Sequence, residues 1–171
     1  MKRGKKIIFV AHCILNQNSV VLPYGKEMKE FRGFISRCME ENIGIIQLPC
    51  PETEVYGLKR WGHVKEQFQH SGFINPAEKK LRETVDLIQD YRRNGYEILG
   101  IYGIKGSPSC GVSLTCSGDW CGEAWNYRDL EDISSRVKMV QEMGLYMEIF
   151  QKLLKEKGIE LEFRDVDDVL C

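Results

Sequence analysis

The chain has 171 residues, 43% of them apolar, with 24 basic and 25 acidic side chains and a formal charge of −1. That length suits a single domain over residues 1–171 with one buried core, and the composition excludes a disordered chain. The charge balance gives no broad positive field for a nucleic-acid polymer. The basic residues at the start are followed by only a short apolar run, Ile7 to Ala11, too short for a signal-peptide core or a membrane span. The expectation is therefore a cytoplasmic chain with no membrane partner; the sequence carries no signal for oligomeric state.

Apolar strands and amphipathic helices alternate along the chain. Lys6 to His12 (KIIFVAH) is β-branched and aromatic and reads as a strand buried on both faces. Lys26 to Asn42 reads as an amphipathic helix, and Gly44 to Leu48, bounded by Gly and Pro, as a second buried strand. A helical pattern with Leu81, Val85 and Ile88 on one face starts near Pro76, with Asn75 as its N-cap, and closes at Asn94-Gly95. Tyr96 to Ile104 is a third strand, whose Gly100 and Gly103 signal close approach of a backbone or ligand. Lys105 to Tyr127 is long and irregular, yet holds two Trp and three Cys, which speaks for function rather than disorder. Met139 to Lys157 reads as the last long helix, ended by Gly158, and Ile159 to Phe163 as a fourth strand. This alternation predicts right-handed crossovers and a mostly parallel four-stranded sheet of order 2-1-3-4. The fold class is a single-domain, three-layer, Rossmann-like α/β fold.

Seven cysteines, at 13, 38, 50, 110, 116, 121 and 171, are many for a reducing compartment, and an odd number does not close a disulfide framework. Cys38 shares helical spacing with Met28, Phe31 and Ile35 and reads as a small hydrophobe; Cys171 carries no signal. Cys13 comes directly after the first strand, Cys50 two residues after the second (LPCPE) and Cys110 a few residues after the third (GSPSCG). A parallel sheet brings all three to the edge where ligands bind, with neighbouring strands about 4.8 Å apart. They either converge on one cofactor or stand as separate buried thiols. Thiolates are the usual ligands of iron-sulfur clusters, whereas zinc sites more often use local CxxC pairs, and this chain has no CxxC. Pro49 and Pro51 around Cys50, and Pro108 and Gly111 around Cys110, stiffen the turns that carry them.

The set HCILN, LPCPE followed by YGLKR, and KGSPSCG resembles the thiouracil desulfidase (TudS) family and its relatives, in order and over most of the chain. The resemblance implies a 4Fe-4S cluster bound by Cys13, Cys50 and Cys110, with an open fourth iron that takes the sulfur of a thiolated base. The sequence also departs from that pattern. SVVLPYG stands where the family has an Arg-Tyr-Asp-Gly element, the interval from Gly57-Leu58 to Arg60 is shortened, and only Gly106 separates Lys105 from Ser107. A loop with Cys116, Trp120, Cys121 and Trp125 follows the SPSCG element.

Desulfidation exchanges C=S for C=O, so it needs a place for departing sulfur and a group that activates water. Glu52, two residues after Cys50, is the candidate general acid/base, with pairing to Lys59 or Arg60 as the alternative. Ser107 is the candidate proton relay, or else a turn cap. Asn16, Arg60, Lys105 and Ser109 are candidate contacts to a small thiolated substrate. His12, next to Cys13, is expected on the opposite strand face. Cys116 and Cys121 read first as part of a lid. The competing function is a cluster-binding or electron-transfer protein, which needs no acid/base at the cluster; a zinc-stabilised domain is the third reading.

Overall fold

The computed structural model describes residues 3–123, 125 and 127–169, so Cys171 lies outside the described residues. In chain order the elements are β1 (Lys6–Val10), α1 (His12–Leu15), α2 (Arg32–Glu40), β2 (Ile43–Gln47), α3 (Pro51–Tyr56), α4 (Ser71–Arg93), β3 (Glu97–Gly103), β4 (Thr115–Gly118), α5 (Leu130–Ser135), β5 (Val137–Val140), α6 (Leu145–Glu156) and β6 (Phe163–Asp165). Four strands form one parallel sheet of order β2-β1-β3-β6, the order that the alternation predicts. The chain steps one way from β1 to β2, then back past β1 to β3 and on to β6. Right-handed crossovers therefore put α2 on one face and α4 with α6 on the other. Among the described residues no helix is long and apolar enough to cross a membrane.

The central strand explains the core. Ile7, Ile8, Phe9 and Val10 are all buried between the two helical layers, as a strand covered on both faces requires. Phe73, Ala77, Leu81, Val85 and Ile88 form the buried stripe of α4, and Tyr146, Met147, Phe150, Leu153 and Leu154 that of α6. β2 is an edge strand and only half-buried, against the expectation of full burial.

Several boundaries differ from the sequence reading, each for a local reason. β1 ends at Val10 because the chain turns into the single helical turn α1, so His12 begins a helix and does not oppose Cys13 across a strand. The segment 26–42 splits into a 3-10 turn, Met28–Phe31, and α2. α4 starts at Ser71 with His70 as its N-cap, not at Pro76 with Asn75. Phe73 is fully buried and stacked on Phe68, with ring centroids 4.4 Å apart, and this packing draws an extra turn into the helix. Pro76, the sixth residue of α4, leaves the Gly72 carbonyl without an i+4 donor near the amino end of the helix.

The helix expected from Met139 begins at Leu145, because Val137–Val140 is β5, paired antiparallel with β4 in a hairpin inside the stretch read as irregular. The fourth strand lies at Phe163–Asp165 rather than 159–163. Ile159 is apolar for a different purpose. Its N–H donates to Leu154 O (2.9 Å) and the Gly158 N–H to Lys155 O (3.0 Å), a Schellman cap in which Ile159 and Leu154 are both buried. The same cap closes α4 at Asn94-Gly95, through Tyr96 N–H to Tyr91 O at 3.0 Å and Gly95 N–H to Arg92 O at 3.1 Å.

Gly103 shows the close approach expected of it. A Cβ there would lie 2.1 Å from the carbonyl oxygen of Cys110, which accepts a hydrogen bond from Ile104 N (3.0 Å). Gly103→Ala therefore forces the Cys110 turn off the end of β3 and is expected to cost about 2–3 kcal/mol, read as a lower urea midpoint at unchanged slope.

Candidate cofactor and catalytic site

The carboxyl ends of β1, β2 and β3 remain tied together past the regular ladder. Ala11 N–H donates to Tyr102 O (2.8 Å) and Leu48 N–H to Val10 O (2.8 Å), so the turns carrying the cysteines leave from a fixed edge. Cys13 lies within α1, where its carbonyl accepts from Gln17 Nε2 (2.7 Å), while the preceding His12 carbonyl accepts from Gln47 Nε2 of β2 (2.7 Å). Cys50 is the N-cap of α3, with Pro51 in the first helical position. Its sulfur accepts from Thr53 N (3.4 Å) and Thr53 Oγ1 (3.1 Å).

Cys110 sits in a turn clamped from two sides. The carbonyls of Gly111, Pro108 and Ser109 accept from the N–H groups of Gly144 (2.9 Å), Leu145 (3.0 Å) and Tyr146 (3.0 Å), so the turn caps the amino end of α6. A Cβ at Gly144 would lie 2.5 Å from the Ser109 carbonyl carbon, so only glycine permits this contact. On the other side the buried Asp165 carboxylate accepts from Val112 N (2.9 Å), Ser113 N (2.8 Å) and Ser113 Oγ (2.6 Å).

The three thiols share one electrostatic environment. Burial pushes Cys13 up to about 12, and negative charge on Cys50 and Glu52 adds to the rise while Arg60 opposes it. Burial likewise holds Cys110 well above the ordinary thiol range, reinforced by Cys13 and Cys50 and opposed by the Ser109 hydroxyl. Among the described residues no three or more His, Cys, Asp or Glu side chains are placed to share a single metal ion. Ligands of a cluster each bind a different iron and stand wider apart than the ligands of one ion.

Beside the thiols lies a buried polar chain. Glu52, only 8% exposed, receives Arg60 Nε on Oε2 (3.0 Å) and Ser109 Oγ on Oε1 (2.5 Å). Ser107 Oγ accepts from Cys110 N (3.0 Å), which leaves its own hydrogen for Ser109 Oγ at 3.3 Å. A directed path Ser107 to Ser109 to Glu52 results, with Ser109 rather than Ser107 in contact with the carboxylate. Arg60 is consumed internally: Nη2 donates to Ser19 O (2.6 Å), and Nη1 to Gly57 O (3.2 Å) and to Thr53 Oγ1 (3.5 Å), the hydroxyl that donates to Cys50. Its guanidinium orients Glu52 and Thr53 and is buried, not solvated.

The remaining candidates are placed differently. Asn16 ends α1, its Nδ2 lying 3.2 Å from His12 Nε2 and its carbonyl accepting from Ser19 Oγ (2.8 Å). Lys105 is turned away from the thiols; its Nζ donates to Asp168 (2.9 Å) and its N–H to Asp167 (3.1 Å). Cys116 lies in β4 and Cys121 is exposed. The hairpin that carries Cys116 is fastened by Glu66, which accepts from Ser117 Oγ (2.5 Å) and Gly118 N (3.0 Å), and by Trp120 Nε1 donating to Gly62 O (3.1 Å).

Two features escaped the sequence reading. His63 is buried between Tyr56 (centroids 4.5 Å) and Trp61 (4.8 Å), and burial lowers its proton affinity while Glu52 raises it. Tyr146 is 1% exposed and its hydroxyl has no partner among the described residues. Both look like ordinary core positions in the sequence, and only the fold reveals their neighbours.

A Rossmann-like α/β protein with three cysteines, a buried carboxylate and two serines along the carboxyl edge of its parallel sheet belongs to the class whose ligand site lies at that edge. A family model described as "Putative 2-thiouracil desulfurase" matches residues 5–164, and the chain belongs to that family. A curated relative, "Uncharacterized protein MJ0003" of Methanocaldococcus jannaschii, is 34% identical over 110 residues, which is 64% of this chain and 70% of the relative. No solved structure gives a significant match.

Removing one member of the Arg60–Glu52 pair leaves the other charge buried. Arg60→Ala is expected to destabilise by about 3–5 kcal/mol and Glu52→Gln by less, since the amide still accepts from Ser109; urea unfolding of both variants checks the order. In metal-free protein at pH 8, iodoacetamide should label the exposed Cys121 while Cys13 and Cys110 react at least roughly a hundredfold more slowly, as peptide mass mapping against time will show.

Proposed function

We propose that this chain removes sulfur from a thiolated heterocycle of the 2-thiouracil kind, exchanging C=S for C=O at the expense of water, with Cys13, Cys50 and Cys110 holding a 4Fe-4S cluster whose fourth iron has no protein ligand. The observation that carries this reading is the meeting, at one sheet edge, of three sulfur donors with a buried, hydrogen-bonded carboxylate. The description printed for the family supports the substrate class. The donor chemistry fits a cluster, because Cys13 and Cys110, whose ionisation is opposed by burial and by the neighbouring thiols, become thiolates only beside compensating positive charge. The unpartnered Tyr146 hydroxyl on the Cys50 and Cys110 side fits it as well.

When bound, the cluster supplies a Lewis-acidic iron with high affinity for sulfur, without redox turnover. The chain's own residues supply the proton chemistry. Glu52 takes a proton from the water whose oxygen adds to the C=S carbon and passes it to the sulfur, and the remaining hydroxyl proton follows to the sulfur by way of Glu52 as the new C=O forms and the C–S bond breaks, so that one water enters and one hydrogen sulfide departs. Arg60 holds the carboxylate in place through Oε2, and Ser109, itself hydrogen-bonded to Ser107, orients Oε1, while Glu52 keeps the proton between the two steps. Thr53 steadies the Cys50 sulfur. Asn16 sits in the turn after Cys13 as a substrate contact on that side. An electron carrier has no need of this proton path, which favours the hydrolytic reading over cluster binding alone.

Protein purified without oxygen should contain iron and acid-labile sulfide and release sulfide from 2-thiouracil with formation of uracil. Glu52→Gln should keep the iron and lose about a hundredfold or more in kcat, while Cys110→Ala should lose the iron itself. Zinc with no inorganic sulfide, or an iron-loaded protein inert across a panel of thioamide heterocycles, would overturn the proposal.

A further inference from the structure

Tyr146 occupies the second position of α6, and its N–H donates to the carbonyl of Ser109 (3.0 Å), the residue before Cys110. Its ring is 1% exposed, and its hydroxyl finds no acceptor among the described residues. A buried hydroxyl without a partner loses its water and gains nothing in return, and phenylalanine would fill the same space without that loss. The backbone bond to Ser109 sets Tyr146 beside the Cys110 turn, and after burial the groups that act most on its hydroxyl are Cys110, Glu54 and Cys50. Burial above all keeps it protonated, and therefore a donor. It bonds neither thiol in the metal-free arrangement.

We infer that Tyr146 Oη donates a hydrogen bond to an anionic sulfur of the cluster on the side held by Cys110 and Cys50, and so acts as a cofactor-tuning residue supplied by α6. This rests on the cluster reading above and extends it. Hydrogen bonds to cluster sulfur favour the more negative, reduced state and strengthen retention of the metal. The hydroxyl thus weakens the empty protein and stabilises the loaded one, an asymmetry that no purely structural tyrosine produces.

The test compares wild type with Tyr146→Phe, each as the full chain prepared without oxygen. The metal-free variant should melt at the same temperature as metal-free wild type or higher. The loaded variant should lose iron to a chelator such as EDTA about tenfold faster, the scale of one charge-assisted hydrogen bond, and its reduction potential should fall. If wild type carries the cluster and the variant matches it in both iron release and potential, this inference fails while the cluster reading stands. A metal-free variant that melts clearly lower also overturns it, because the hydroxyl then has a partner in the empty protein. If wild type binds no iron and sulfide at all, the cluster reading fails and takes this inference with it.

Discussion

The ion pair between Arg60 and Glu52 is the constraint that organises the site. A carboxylate enclosed at a sheet edge loses most of its hydration, and an isolated one would take up a proton or reorganise its surroundings. Here the guanidinium fork meets it at 3.0 Å and spends its other donors on Ser19 and Gly57 carbonyls and the Thr53 hydroxyl. One side chain thereby joins the turn after β1, the helix after β2 and the Cys50 sulfur. The short contact from Ser109 brings the third strand's turn into the same network. Each cysteine-bearing segment is consequently positioned by polar bonds that depend on Arg60, in addition to the strand that delivers it.

The second organising contact is the seat of α6 on the Cys110 turn. A helix start exposes N–H groups that need acceptors, and the turn's carbonyls meet them directly where a side-chain cap would otherwise serve. The arrangement needs glycine at 144 on the helix side and at 103 on the strand side, since a Cβ at either would strike backbone. The helix's aromatic payload, including Tyr146 and Phe150, is then buried against the sheet. Packing and site geometry are the same set of contacts here. A change that loosens the core loosens the thiols.

Much of this was legible in the residues. The alternation of apolar strands with amphipathic helices fixes the parallel sheet and its order, and the punctuation around Cys50 and Cys110 marks the edge where ligands bind. The errors came where one pattern serves two purposes. Ile159 is apolar because it completes a helix cap, and Phe73 lies before a proline yet belongs to the helix through its stack on Phe68. Met139 and Val140 were read into the last helix, and pairing of Val137 to Val140 with Thr115 to Gly118 decided the outcome. The site was readable in its cysteines and in Glu52, whose neighbours in sequence announce them. Ser109 was named only as a substrate contact, because its partner Glu52 comes from a distant segment that no local spacing reveals, whereas Arg60 was also named as an ion-pair partner for Glu52, and the two do pair. Tyr146 was invisible as anything but core.

The bond between Gly144 N–H and the Gly111 carbonyl also closes a neck. Everything from residue 112 to 143, the hairpin and α5 included, leaves and returns through this narrow base, while Asp165 grips its outgoing strand. Because the entropy of closing a loop grows only slowly with its length, a change in the length of this excursion costs the base that carries the thiols little.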